Sequence, residues 1–276
     1  MKTLLVCGLI SFAFAALAAP PAGFAPLPRL KHAIAVIGHR GGRALAPENT
    51  LAAFRNAIKL GADYVEVDVR ATKDGHLVIM HDGSVDRTTN GKGLVKELDF
   101  DTIRALDAGS KFAPKYAGEK VPTFDEVLEL CHNKINVYVD HKEAPTEQVF
   151  EAIKKHGMEK QVVIYNGVHG LQEWKQVAPH LPVMPSVPNQ FRRDGGIADF
   201  EKELPAEVLD GNIVEWTKDL VDQAHALGVK VYVDNLGPND NPEGFRKAIA
   251  MGVDGIQTDH LDQLLDTLKE MSASSK

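Results

Sequence analysis

The stretch that decides the fold is Ala62-Asp63-Tyr64-Val65-Glu66-Val67-Asp68-Val69-Arg70-Ala71-Thr72-Lys73-Asp74-Gly75-His76-Leu77-Val78-Ile79-Met80-His81-Asp82. In an extended chain successive side chains point to opposite faces, so Val65, Val67 and Val69 share one face. Glu66 and Asp68 take the other. A valine face fits against helices, while the carboxylate face belongs inside a barrel. Thr72-Lys73-Asp74-Gly75 then carries a hairpin signal in Asp-Gly. Leu77–Met80 is therefore expected as an antiparallel extension of the strand Tyr64–Val69.

Outward from this pair, β-rich runs alternate with helical patterns. The other expected strands are 33–38, 135–139, 162–165, 181–184, 212–215, 229–233 and 255–257. Helices are expected at 50–60, 124–132, 146–156, 171–178, 218–227, 242–251 and 261–269. Strands rich in Val and Ile alternating with helices imply a parallel sheet with crossover helices. With Leu77–Met80 set aside, eight parallel strands remain, the arithmetic of an α/β fold of the (β/α)₈ TIM-barrel kind. The rival is a doubly wound open sheet, but no G-x-G-x-x-G follows the first strand and no G-x-x-x-x-G-K-S/T occurs. Residues 83–121, with Gly83, Asn90-Gly91, Gly93, Gly109, Pro114 and Gly118, break the alternation. They read as an insertion on the barrel rim after the second strand, and loops that long are usually functional.

The chain has 276 residues, 44% hydrophobic and 25% charged, a mix that excludes disorder, collagen and a disulfide scaffold. Lys and Arg total 31 against 38 Asp and Glu, for a formal charge of -7. An acidic chain offers no broad footprint for nucleic acid or an anionic membrane. Any phosphate-bearing partner must be small and met at one local site.

At the N-terminus, Lys2 precedes an apolar run from Leu4 to Leu17, and Ala16-Leu17-Ala18 fits small-x-small cleavage. Residues 1–18 read as a secretory signal peptide, with a periplasmic or secreted destination and no stable membrane anchor. Residues 19–32 read as a proline-rich leader, and 33–276 as the barrel. Once Cys7 is removed, Cys131 is left without a disulfide partner and reads as a buried structural cysteine on a helix.

In a barrel the carboxyl ends of the strands form the site. The first strand ends in His39-Arg40-Gly41-Gly42, the hairpin extension in His81-Asp82, and the third parallel strand in Asp140-His141-Lys142. Glu66 and Asp68 facing a poorly solvated interior repel, so one is protonated or a cation sits between them. A hard divalent cation with oxygen ligands, Ca²⁺ or Mg²⁺, resolves this, with Asp140 as a third ligand. His39 and His81 are candidates for general acid–base work. Arg40 and Lys142 can hold phosphate oxygens. Trp216 can supply an aromatic face to substrate.

His39-Arg40-Gly41, Pro47-Glu48-Asn49-Thr50, the block from Gly61 to Val69, Thr72-Lys73-Asp74-Gly75, His81-Asp82 and the block from Gly252 to Asp259 resemble the glycerophosphodiester phosphodiesterase family. The resemblance implies a (β/α)₈ barrel that uses a divalent cation to hydrolyse glycerophosphodiesters to glycerol phosphate and an alcohol. It implies His39 and His81 as catalytic acid and base, and Glu66 and Asp68 as metal ligands. Two positions depart from the family pattern. Asp140 stands where Glu is usual, and Val233-Asp234-Asn235 stands where Trp-Thr-Val-Asn is usual. The alternatives are lysophospholipase D-like or cyclising cleavage of lysolipids, and an inactive secreted binding protein.

Overall fold

The computed structural model describes residues 24–274, so the expected signal peptide lies outside the described residues. The chain alternates strand and helix from β1 (Ala35–Gly38) through α1 (Leu51–Leu60) to β2 (Tyr64–Ala71) and its hairpin partner β3 (Leu77–Ile79). A short helix α2 (Phe100–Ala105) follows within the insertion, then α3 (Phe124–Cys131), β4 (Asn136–Glu143) and α4 (Thr146–Lys155). The next units are β5 (Val162–Tyr165), α5 (Val168–Val177), β6 (Val183–Met184) and α6 (Gly196–Glu203). The chain closes with β7 (Val208–Leu209), α7 (Lys218–Ala226), β8 (Lys230–Asp234), α8 (Pro242–Met251), β9 (Gly255–Thr258) and α9 (Leu261–Ser274).

Local chemistry sets many of these boundaries. Thr50 caps α1 by accepting from Ala53 N, and Gly61, at φ 90°, ends it in the left-handed conformation. Thr123 and Glu126 form a capping box at α3.

All pairings in the barrel are parallel, in the order β6-β5-β4-β2-β1-β9-β8-β7, with β3 antiparallel on β2. Between β6 and β7 the ring is closed by backbone bonds from Asp210 N to Pro185 O (2.9 Å) and from Val187 N to Asp210 O (3.3 Å). This is a (β/α)₈ barrel. The period-two reading of β2 holds on both faces. Val65, Val67 and Val69 join Phe54, Phe124, Trp174 and Phe245 in the core between strands and helices. Inside the barrel, Ile37, Tyr64, Tyr138, Val163, Met184 and Tyr232 fill the lower layers, with Tyr64 and Tyr232 edge-on at 6.1 Å. Cys131 is buried in α3, and burial pushes its thiol up to about 12, so it is inert packing.

One strand is displaced from its expected place. Residues 212–215 form no strand; β7 is the pair Val208–Leu209 and Ile213–Glu215 is a 3₁₀ turn. Asn212 accepts from Val214 N (3.2 Å), and Glu215 accepts from Asn212 N (3.0 Å). That reciprocal cap outweighs the β propensity of Ile213 and Val214. β7 itself carries no legible pattern, because two apolar residues between Glu207 and Asp210 show no period.

The segment 24–32, expected as leader, is docked across the N-terminal end of the barrel. Ala25 N donates to Glu207 (2.8 Å), Asn136 Nδ2 donates to Arg29 O (2.8 Å), and Leu27 packs beneath the interior cluster. The insertion packs Val85, Val95, Ile103 and Val121 against Val78 and Met80 of the hairpin as a separate small core, and Tyr116 Oη ties it to Leu45 O (3.1 Å).

A stability test arises at α6. Burial pushes the Glu201 carboxyl up to about 7, with Glu207 adding repulsion; one oxygen accepts from Ala206 N and the other accepts nothing. A carboxyl raised by folding contributes stability below its unfolded value that is lost as pH rises through about 7. Glu201→Gln keeps the acceptor without the charge. We expect its Tm advantage over the parent to be absent near pH 4 and largest near pH 8, read by thermal unfolding across that range.

Candidate active site

The carboxyl ends of β1, β2 and β4 place the site. β2 and β4 are adjacent, and Asp68 is the register partner of Asp140. Glu66, one inward position lower, completes a trio whose ligand oxygens lie within 4.8 Å of one another. Glu66 and Asp68 are 2% and 0% exposed. Burial, with repulsion from Asp68 and Asp140, raises the Glu66 carboxyl well above the ordinary range. Burial and Asp68 push Asp140 up to about 6, against the opposing pull of Lys142.

The cations expected here arrive. Lys142 Nζ pairs with Asp140 and lies 3.3 Å from Asp68 Oδ1. Asp140, and then Asp68, hold its ammonium above the ordinary lysine value, outweighing the larger downward pull of burial. Arg40 Nε is 3.6 Å from Asp68, while its Nη1 donates to Glu48 (2.8 Å). Arg40 sits at φ 50° and ψ 33° ahead of two glycines, Gly41 and Gly42, also at positive φ. That left-handed turn aims Arg40 N at Glu66 Oε2, 2.7 Å away.

His39 and His81 share one arrangement. His39 Nδ1 meets Asp259 Oδ1 at 2.7 Å, and Arg43 Nε holds both oxygens of that carboxylate at 2.8 Å. His81 Nδ1 meets Asp82 Oδ1 at 2.8 Å, and Arg87 Nε holds Asp82 Oδ2 at 2.7 Å. A carboxylate on Nδ1 fixes the proton there and leaves Nε2 free to exchange one. Burial pulls the His81 imidazole below its ordinary value. Hydrogen bonds from Arg87 and His81 hold Asp82 far below the carboxylate range.

Of the residues singled out in the sequence, His39, Arg40, Glu66, Asp68, His81, Asp140 and Lys142 therefore converge. Trp216 is 6% exposed, its ring packed with the core between strands and helices and its Nε1 beside Gly211, just past β7. Asp234 is half-buried, desolvation raises its carboxyl, and Gln257 Nε2 donates to it.

The structure adds partners that sequence reasoning did not assign. Asn49, at φ 57°, donates from Nδ2 to Asp68 Oδ2 at 2.7 Å. Glu48 accepts from both Arg40 and Arg87, and Asp259 and Asp82 orient the histidines. Glu48 and Asn49 lie just before the Thr50 cap and so read as helix-start residues; only the return of the chain onto β2 gives them a second use.

Asp68 Oδ1 is buried and accepts no hydrogen bond, and the surrounding donor set is oxygen-only. These residues fit a hard divalent cation.

A (β/α)₈ barrel with buried carboxylates, two carboxylate-oriented histidines and two cations at its strand ends has the apparatus of a hydrolytic enzyme able to hold a metal. Residues 39–263 match the model of the glycerophosphoryl diester phosphodiesterase family, and the chain belongs to that enzyme family. It is 38% identical over 248 residues to the glycerophosphodiester phosphodiesterase of Caldanaerobacter subterraneus subsp. tengcongensis, covering 85% of this chain and 98% of the relative. It is 35% identical over 252 residues to that of Bacillus subtilis, covering 83% and 84%. Among solved structures, an Oleispira antarctica phosphodiesterase in complex with the product sn-glycerol-3-phosphate superposes with a TM-score of 0.76 at 26% identity. That match covers 85% of this chain and 96% of the other. A glycerophosphodiester phosphodiesterase from Agrobacterium tumefaciens gives 0.74 at 28%, covering 84% and 98%.

Arg87 gives a test of the insertion. It comes from the rim and holds Asp82 and Glu48 together, each of which orients a residue at the site. Arg87→Ala frees both carboxylates, and we expect kcat to fall by about ten- to a hundredfold, as for other residues that orient a site. The change in KM should be smaller, and a circular dichroism spectrum unchanged. An unaltered kcat would show that the rim has no hold on His81.

Proposed function

We propose that the chain hydrolyses glycerophosphodiesters to sn-glycerol 3-phosphate and an alcohol, with a divalent cation held by Glu66, Asp68 and Asp140. The observation that carries this is the carboxylate trio, Glu66 and Asp68 buried and Asp140 half-buried, flanked by two histidines, each oriented by its own aspartate. When bound, the cation neutralises charge that develops on the phosphoryl oxygens, and an all-oxygen set favours Ca²⁺ or Mg²⁺. Arg40 and Lys142 add positive charge for the remaining oxygens, with Glu48 fixing the Arg40 fork. One histidine takes the proton of the attacking oxygen at Nε2, and the other gives a proton to the departing alkoxide. The new P–O bond forms as the P–O bond to the alcohol breaks, so the protons balance across the pair.

Chelation is the direct test. With glycerophosphocholine or glycerophosphoethanolamine as substrate, a chelator should lower sn-glycerol 3-phosphate release at least a hundredfold, since metal contributes several kcal/mol at such sites. Added Mg²⁺ or Ca²⁺ should restore it. Full turnover with chelator present would overturn the metal reading.

The chain is read as exported, on the strength of Lys2, the apolar run to Leu17 and the Ala16-Leu17-Ala18 cleavage pattern. No helix among the described residues is long and apolar enough to cross a membrane. A mature N-terminus at Ala19, found by sequencing the exported protein, is the expected result.

A further inference from the structure

The N-terminal end of the barrel, opposite the strand ends that carry the catalytic residues, holds a groove of about 570 Å³. Four cations line it: Arg29 and Lys31 from the docked N-terminal segment, Lys134 before β4, and Lys160 before β5. All four are exposed, and none has a carboxylate partner within 4.0 Å among the described residues. Elsewhere this chain pairs its cations readily, as Arg43, Arg87 and Lys142 show.

The acid that lines the groove, Asp63, is 1% exposed and fully engaged. It accepts from Lys31 N (2.5 Å), His32 Nδ1 (2.8 Å) and Val36 N (2.9 Å), holding two backbone amides and an imidazole rather than the lysine ammoniums. The ammoniums rest on neutral carbonyls. Lys31 Nζ donates to Ala62 O (2.9 Å) and Lys134 O (3.2 Å), and Lys134 Nζ donates to Leu130 O (3.1 Å). These bonds fix the positions of the charges without cancelling them.

A concavity of this size lies in the range of small-molecule pockets, and four cations against the one carboxylate of Asp63 leave it with a positive excess. This local positive excess stands out in a protein of net charge -7, and an anionic occupant would complement it.

We propose that this groove binds a compact anion bearing two or more phosphate groups. The same chemistry is offered by a free oligophosphate and by a phosphorylated lipid head group. The occupant would bridge the 26–31 segment to the loops before β4 and β5, clamping the N-terminal segment on the barrel. This site is separate from the catalytic mouth and does not rest on the reaction proposed there.

The test uses the mature chain, with tripolyphosphate as probe in calorimetry at matched divalent-ion concentration. Lys134→Gln combined with Lys160→Gln should weaken binding at least tenfold while hydrolysis is unchanged, each lysine being an independent surface charge. Raising NaCl from about 50 to about 300 mM should weaken it further, because screening shortens the reach of exposed charge. In a second arm, cosedimentation with vesicles containing cardiolipin, whose head group carries two phosphates, that the double variant loses would assign the phosphates to lipid. Absence of binding in both arms would overturn the proposal. So would binding that survives the double variant and disappears in Asp68→Asn, since that anion sits in the catalytic mouth.

Discussion

His39→Ala should lower kcat for glycerophosphodiester hydrolysis by about 10²–10⁴-fold, the range for losing a positioned general acid or base. The fold should survive. His39 ends β1 on a turn whose shape is set by Gly41 and Gly42, and its partner Asp259 keeps Arg43 when the imidazole is gone. No buried charge is orphaned, so the loss reports chemistry rather than unfolding. Asp259→Asn should give a smaller loss, because the imidazole remains but its tautomer is no longer fixed. A substrate with a nitrophenol leaving group separates the roles. The histidine that protonates the alkoxide becomes dispensable when the leaving group needs no proton, whereas the one that activates the nucleophile does not. Activity of His39→Ala within twofold of the parent on both substrates would sink the assignment.

Glu66→Gln should act in opposite directions on activity and on stability. With divalent cation present, hydrolysis should fall roughly 10³-fold, because a ligand that helps contribute several kcal/mol is weakened and each 1.36 kcal/mol is about tenfold. With chelator present, the variant should melt higher than the parent. Glu66 is buried beside Asp68 and Asp140, and burial and their repulsion raise its carboxyl well above the ordinary range. The amide keeps an acceptor for Arg40 N and removes one charge from the trio. A gain of about 1 kcal/mol would appear as a rise of roughly 2–4 °C in a domain of this size. Thermal unfolding of both proteins with and without chelator measures it. A variant that melts lower in chelator would mean that the trio carries no net repulsion in the apo protein. These carboxylates would then be held by Lys142 and Arg40 alone.

The departure at Asp140 is resolved by register. Aspartate is one methylene shorter than the usual glutamate, yet Asp140 directly faces Asp68 across adjacent strands and still reaches the trio. Asp234, in place of the usual tryptophan, makes the wall beside β9 acidic, with Gln257 as its donor. The strand expected at 212–215 lies instead at Val208–Leu209 for a local reason. A two-residue strand carries too little pattern to be seen, whereas the neighbouring Ile213 and Val214 have the β propensity of one.

The sequence alone determined the barrel and the carboxylate face, because both follow from local periods. Alternation of Val65, Val67 and Val69 with Glu66 and Asp68 has one solution when helices cover the outer face. It also determined which strand ends carry histidine, arginine and lysine. Tertiary structure alone decided how those groups are held. His39 depends on Asp259, 220 positions away, and Asp68 on Asn49, while the rim residue Arg87 orients His81 through Asp82. Lys31 and Lys134 come together across 103 positions in a groove that no local pattern announces. The physical reason is range. Side-chain direction along a strand is fixed by its neighbours, but the partner of a charge is fixed by where the chain returns.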